Sequence, residues 1–294
     1  MPPRLELREL LQQLLGPGYE LRHELTGAGM SRVFVAREVA LDRQVVVKVL
    51  PPELVTEAGL ARFRREVQVT ARLQHPHILP VLSTGGAGEL RYYIAPYVAS
   101  ESLRRHLAGG HRLPTDQALA ITLELLGAVA LAHSHGIIHC DIKPGNVLLS
   151  GDHAILADFG IARALHEGDE PHDLTGSSTI DHAAYTPPER ARDASADLWA
   201  IAVVAHEAIT GAVPSLPASP ERILADWRAA DPALDPLTAP LAAGVIARAL
   251  HEDPTARFPS AEAFAQALRR AVRATGTFAA IPAPAARRRW RNAA

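Results

Sequence analysis

The sequence holds very little cysteine, lysine or asparagine. One cysteine in 294 residues excludes an internal disulfide framework and suits a reducing compartment. A formal net charge of -2 lacks the basic excess by which a nucleic-acid binder gathers phosphates, so no nucleic-acid partner is expected. Unbroken apolar runs of about 18 residues are missing, which argues against a transmembrane helix. The nearest stretch, LWAIAVVAHEAI over 198–209, is short, carries His206 and Glu207, and reads as a buried helix. The opening MPPRLELREL lacks the apolar core of a signal peptide, and the chain reads as cytoplasmic. What remains is an ordinary globular composition, 48% hydrophobic and 21% charged, long enough for two domains or one two-lobed domain.

The scarcity of lysine is itself informative. Only Lys48 and Lys143 are lysine; the rest of the 30 basic side chains are arginine. A sequence biased toward arginine keeps a lysine where a compact, flexible ammonium is needed and a planar guanidinium will not do. Lys143 lies in HCDIKPGN, residues 139–146, beside the single cysteine and Asn146.

Along the chain, RLELRELLQQLL (4–15) has helical apolar spacing and stops at Gly16-Pro17-Gly18. Residues 19–98 read mostly as strand: YELRHEL, SRVFVAREV, the buried RQVVVKVL, HPHILPVLSTG (75–85) and LRYYIAPYV. One helix, about 57–73, interrupts them. Helices dominate after that, over 101–108, 115–135, 196–210, 220–229, 239–251 and 260–273. The organisation is an N-terminal helix (1–18), a β-rich lobe (19–98), an α-rich lobe (99–273) and a basic extension (274–294) read as disordered. The fold class is α+β, with a cleft between two lobes.

Phosphoryl transfer needs phosphates held in line, metal ions to neutralise developing charge and a carboxylate to receive a proton. Mg²⁺ prefers oxygen donors, so an Asp and an Asn carbonyl suit it. The chain offers VVVK ending on Lys48, a following helix with Glu66, HCDIKPGN, DFG (158–160), PPE (187–189), Asp197 and Arg257, in that order. This set resembles the signature of the eukaryotic-like serine/threonine protein kinases of bacteria, over residues 19 to 271. The resemblance implies a bilobal protein kinase fold and transfer of the γ-phosphoryl group of Mg-ATP to Ser/Thr hydroxyls of a protein substrate. It implies that Lys48, paired with Glu66, holds the α- and β-phosphates. Asp141 would orient the acceptor hydroxyl and Lys143 contact the transferring group. Asn146 and Asp158 would bind Mg²⁺. Glu189 would pair with Arg257, and Asp197 would brace the catalytic loop. The nucleotide would lie against residues 26–29, Val33, Val46, Ala95, Tyr97, Val98 and Leu148.

The sequence departs from the family pattern in several places. Counting from Val33, Ala36 and Lys48, the first two glycines of the phosphate loop fall on Thr26 and Ala28, with Gly27 and Gly29 one place off and Ser31 at the third position. Glycine serves there for close backbone approach and positive φ. A non-glycine residue held left-handed costs about 1–2 kcal/mol, or roughly ten- to a hundred-fold in rate. Val46 replaces an alanine and narrows the adenine pocket, while Ala95 is small and opens space behind it. Cys140 replaces the arginine that receives an activation-segment phosphate, so activity independent of phosphorylation at Thr175, Ser177, Ser178 and Thr179 is expected. Asp181-His182 stand where the family has Gly-Thr.

The first reading is therefore a slow serine/threonine kinase. The alternative is a pseudokinase, a nucleotide-binding or scaffolding module, resting on Thr26, Ala28, Cys140 and His182. A small-molecule kinase of the aminoglycoside-phosphotransferase kind shares the Asp…Asn…Asp core but not PPE, Asp197 or Arg257. His133, His135 and His139 raise a metal site, with a structural role favoured. Cys140 reads as a small buried thiol rather than a nucleophile. Arg287, Arg288, Arg289, Trp290 and Arg291 suit weak contact with an anionic membrane surface, with a solvated tail favoured. The helix 4–15 is expected to pack on the small lobe.

Overall fold

The computed structural model describes residues 4–25, 32–50, 67–68, 70–88, 90–159, 183–191 and 193–273. Helix α1 (Arg4–Leu15) leads into five strands: β1 (Tyr19–Leu25), β2 (Arg32–Glu38), β3 (Arg43–Val49), β4 (Ser83–Ala87) and β5 (Leu90–Pro96). These form one antiparallel sheet in the order β1-β2-β3-β5-β4.

The sheet has two working faces because side chains alternate along a strand. On one face, Val45, Val47 and Val49 of β3 and Tyr92 and Ile94 of β5 form a core with Leu7, Leu11 and Leu15 of α1. The three leucines recur every fourth residue, which places them on one stripe of the helix. Gln12 fixes the helix to β1 by accepting from Leu21 N–H at 2.9 Å and donating to the Tyr19 carbonyl at 2.8 Å. The helix ends at Gly16, whose φ of +64° suits glycine. On the other face, Tyr93 and Ala95 form a separate cluster with Leu50 and Val67, against which Val46 packs. Lys48 lies between Val47 and Val49 in sequence and so shares the face of Val46.

The expected strand over 75–85 is corrected. Residues 75–82 run as a connector and the strand begins at Ser83. Pro76 and Pro80 cannot donate to a ladder, which weakens the segment as a strand. The connector instead ties the lobes together. Leu79 N–H donates to the Leu156 carbonyl, and Leu156 N–H to the His77 carbonyl, both at 2.9 Å. Of the expected helix 57–73, only Val67, Gln68 and Thr70 are described as helical.

The second lobe contains α2 (Leu103–Ala108), α3 (Thr115–Ser134), α4 (Ala194–Thr210), α5 (Pro220–Ala230), α6 (Thr238–Ala249) and α7 (Ala261–Arg273). Helix α4 is its axis, with every residue from Ala196 to Ile209 buried. Asp193 caps its start by accepting from Ser195 N–H, and Gly211 at φ +78° closes its end. Helix α3 is long and apolar enough to cross a membrane by length and composition, which the search for unbroken apolar runs overlooks because Thr, Gly and one Glu interrupt it. In the fold it packs against α4 and α7 as a core helix. The helical expectation for this lobe also omitted a small sheet of β6 (Glu101–Ser102), β7 (Val147–Ser150) and β8 (His153–Leu156).

Candidate active site

The β7–β8 hairpin brings the two halves of the site together. Val147 pairs with Leu156, and beyond them Ala157 N–H donates to the Asn146 carbonyl at 2.9 Å. The mouth of the hairpin thus places Asn146 beside the segment carrying Asp158, across the residues that separate them in sequence.

The loop before it is held from below. Asp197, in the first turn of α4 and 2% exposed, accepts from His139 N–H at 2.8 Å and from Cys140 N–H at 2.9 Å. His133 Nε2 meets the same carboxylate at 2.8 Å. Cys140 sits at φ +63°, a costly conformation for a side chain other than glycine, and the Asp197 contacts hold it there. The fully buried His139 ring accepts from Asp141 N–H at Nδ1 and faces the Ala157 carbonyl with Nε2 at 2.9 Å. That pairing fixes the tautomer with the proton on Nε2. Its ring meets Phe159 edge-on at 4.7 Å. His133 and His139 are therefore occupied with structural partners, while His135 bonds the Leu131 carbonyl of its own helix.

Asp141 is met on both oxygens. Lys143 Nζ lies 2.9 Å from Oδ1, and Asn146 Nδ2 donates to Oδ2 at 3.0 Å and to the Asp141 carbonyl at 2.7 Å. Lys48 Nζ reaches Asp158 Oδ2 at 2.5 Å across the two lobes. Asp158 has φ +66°, and Tyr93 donates its hydroxyl to Oδ1. Burial pushes the Asp158 carboxyl upward, but the charge and hydrogen bond of Lys48, with help from Tyr93, outweigh it and hold the group below the usual range. Both lysines of the chain thus meet an aspartate of this site.

Val33 and Lys48 are register partners, as are Val46 and Ala95. Ala95 is buried beside Tyr93, so the large ring stands next to the small side chain. Tyr97 N–H donates to the Gln44 carbonyl at 3.4 Å, Val98 is half-buried, and Leu148 lies on β7 opposite Ile155. Glu66, Thr26, Gly27, Ala28, Gly29, Ser31, Asp181, His182 and the expected phosphorylation sites lie outside the described residues, as does the basic extension.

Two anchors fix the segment after the cleft. Arg257, side chain 1% exposed, donates to both oxygens of Glu189 at 2.6 and 2.8 Å and stacks over Trp199 at 4.6 Å. This is the pairing the resemblance implies, and the Arg257 hydrogen bond holds the Glu189 carboxyl below its ordinary range. The second anchor was not anticipated. Arg104 donates to Glu207 at 2.9 Å and to the Tyr185 hydroxyl at 2.6 Å, and Tyr185 donates to Glu207. Tyr93 was also overlooked. The alternation of RYYIAP opposite VVVK was its only sequence signal.

Hard oxygen donors suit a magnesium ion here. Asn146 turns its amide nitrogen to Asp141, which leaves its carbonyl oxygen on the opposite side, and Asp158 supplies a carboxylate. Among the described residues no three His, Cys, Asp or Glu group as a metal cage.

A sheet lobe facing a helical lobe, with Lys48–Asp158 bridging them and Lys143–Asp141 in the loop beside it, is the architecture of the protein kinase fold. Residues 19–268 match the protein kinase domain, and the chain belongs to that family. Bacterial serine/threonine kinases are among its curated relatives. The chain is 38% identical over 216 residues to serine/threonine-protein kinase PknB of Mycobacterium leprae, covering 70% of this chain and 34% of that protein. It is 34% identical over 288 residues to serine/threonine-protein kinase PksC of Streptomyces coelicolor, covering 92% and 51%. The chain therefore spans about a third to a half of these relatives. A crystal structure of Rad53 1-466 in complex with AMP-PNP shares the fold, with a TM-score of 0.67 at 21% identity, covering 88% of this chain and 67% of that one.

Proposed function

We propose that this domain is a serine/threonine protein kinase that transfers the γ-phosphoryl group of Mg-ATP to a protein hydroxyl. The observation that carries the reading is the Lys143–Asp141–Asn146 arrangement, in which a narrow cation and an amide grip the two oxygens of one carboxylate. Asp141 then presents an oriented base to a substrate hydroxyl, and Lys143 places positive charge next to it. The hydroxyl oxygen attacks the γ-phosphorus, its proton passes to Asp141, and the bond to the β-phosphate oxygen breaks so that ADP leaves. Lys48 supports the nucleotide phosphates from β3. Asn146 and Asp158 would hold Mg²⁺, which would supply charge neutralisation on the phosphate oxygens. The Glu189–Arg257 and Tyr185–Glu207–Arg104 anchors hold the platform on which a peptide lies. ATP supply and the presence of a single cysteine in the chain both suit the cytoplasm.

The test is intact mass after incubation with Mg-ATP and a generic Ser/Thr peptide, beside Asp141→Asn. Added phosphate on protein or peptide is expected with the wild type. The variant should be slower by roughly 10²- to 10⁴-fold, the usual weight of a lost proton acceptor. No transfer by the wild type would overturn the reading.

A further inference from the structure

Tyr93 lies on β5 directly opposite Lys48, and its side chain points to the same face of the sheet. It is 4% exposed and packs with Ala95, Val67 and Leu50. Ala95, two residues on and on the same face, leaves lateral room for the ring. The phenol spans the interlobe gap and donates to Asp158 Oδ1, while Lys48 Nζ holds Oδ2. One sheet thus grips both oxygens of an aspartate that belongs to the other lobe. The phenol hydroxyl is the donor of this contact and the carboxylate its acceptor.

The two contacts respond differently to an arriving nucleotide. Under the kinase reading, on which this inference rests, Lys48 turns to the phosphates. The Tyr93 hydroxyl has no such alternative, since its ring is fixed in an apolar cluster. A carboxylate oxygen can accept more than one partner, so Oδ1 can keep Tyr93 while the carboxylate faces a cation.

We propose that Tyr93 is a positioning residue for Asp158, holding its carboxylate in the orientation that receives the divalent metal accompanying the nucleotide. No position in the recognised motifs supplies this contact. It belongs to the β3–β5 register.

The test is Tyr93→Phe in the full chain, which keeps the ring and its packing and removes only the hydroxyl. Affinity for a non-hydrolysable ATP analogue is measured by calorimetry across a Mg²⁺ titration and again with the metal chelated. The Mg²⁺ concentration for half-maximal tightening is expected to rise about tenfold, the scale of a hydrogen bond lost to a charged group. Affinity without metal should stay at the wild-type value. The Mg²⁺ dependence of turnover should shift in parallel, with kcat recovering at saturating metal. Tyr92→Phe is the control: its hydroxyl meets the Leu14 carbonyl on the opposite face, and no shift is expected. An unchanged Mg²⁺ dependence in Tyr93→Phe, or an equal loss with and without metal, overturns the proposal. If the wild type transfers no phosphate, the kinase reading falls, and the binding titration still decides the role of Tyr93.

Discussion

Lys48 and Lys143 show how far single residues could be read. In a chain that otherwise uses arginine, both lysines end on carboxylates, at Asp158 and Asp141. Each environment favours a compact ammonium over a fork. Their composition signal was visible without a structure because scarcity made it so. Tyr93 carried no such signal. Its partner is 65 positions away, and only the pairing of β3 with β5 tells which of Tyr92 and Tyr93 faces the cleft. Cys140 was legible as a departure, and the structure adds its physical setting. At φ +63° it is held by Asp197, so the loop keeps its shape with no arginine at that place. A thiol cannot make the bidentate contact by which an arginine reads a phosphate. Changing Thr175, Ser177, Ser178 and Thr179 together to Ala is accordingly expected to leave kcat/KM on a generic peptide near the wild-type value. Abolished turnover in that variant would contradict this.

At the scale of elements, periodicity placed the long helices and the first three strands well, because each buries a regular stripe or face. It failed where pairing partners are distant or the element is short. The β7–β8 hairpin comes directly after HCDIKPGN in sequence and resembles an ordinary helix-to-loop passage. Its four-residue strands exist because they pair with each other and with β6. The start of β4 was misplaced because HPHILPVL is apolar enough for a strand, yet its His77 carbonyl and Leu79 N–H bond across the lobes instead. Helix α1 was expected on the small lobe, and the structure shows it contributing to that lobe's core. Leu11 is fully buried there. Leu11→Ala should destabilise the protein by about 2–5 kcal/mol, the cost of emptying a buried leucine site. Urea unfolding would show it as a lower midpoint at unchanged slope. Leu10→Ala, at an exposed position on the same helix, should change little.

For the molecule as a whole, two histidines make folding sensitive to acid. His206, 2% exposed in the C-terminal half of α4, accepts from the Trp227 indole N–H at Nδ1, an arrangement that requires neutral imidazole. Burial lowers it to about 4, against a small opposing pull from Asp226. His75 is likewise lowered to about 4 by burial and by neighbouring His77. The unfolded chain binds these protons near pH 6.5 while the folded chain refuses them until about pH 4. Their contribution to stability is therefore intact above pH 6.5 and is lost as pH falls from 6.5 toward 4. For His206 the loss is on the order of 3 kcal/mol, and for the partly exposed His75 it is smaller. Unfolding free energies at pH 7, 5.5 and 4.5 should fall in that order. His206→Gln should flatten the slope, and a variant with the wild-type slope would show that this histidine is not the source.

The leucines of α1 bear on where this protein begins as a folding unit. The family match starts at Tyr19, after the helix has ended. Yet Leu7, Leu11 and Leu15 share one core with Phe34, Val47 and Ile94. A fragment cut at the family boundary would keep every motif of the cleft and expose the outer face of the sheet that carries Lys48. The stretch that carries the family pattern and the stretch that covers this sheet are, in this chain, of different lengths.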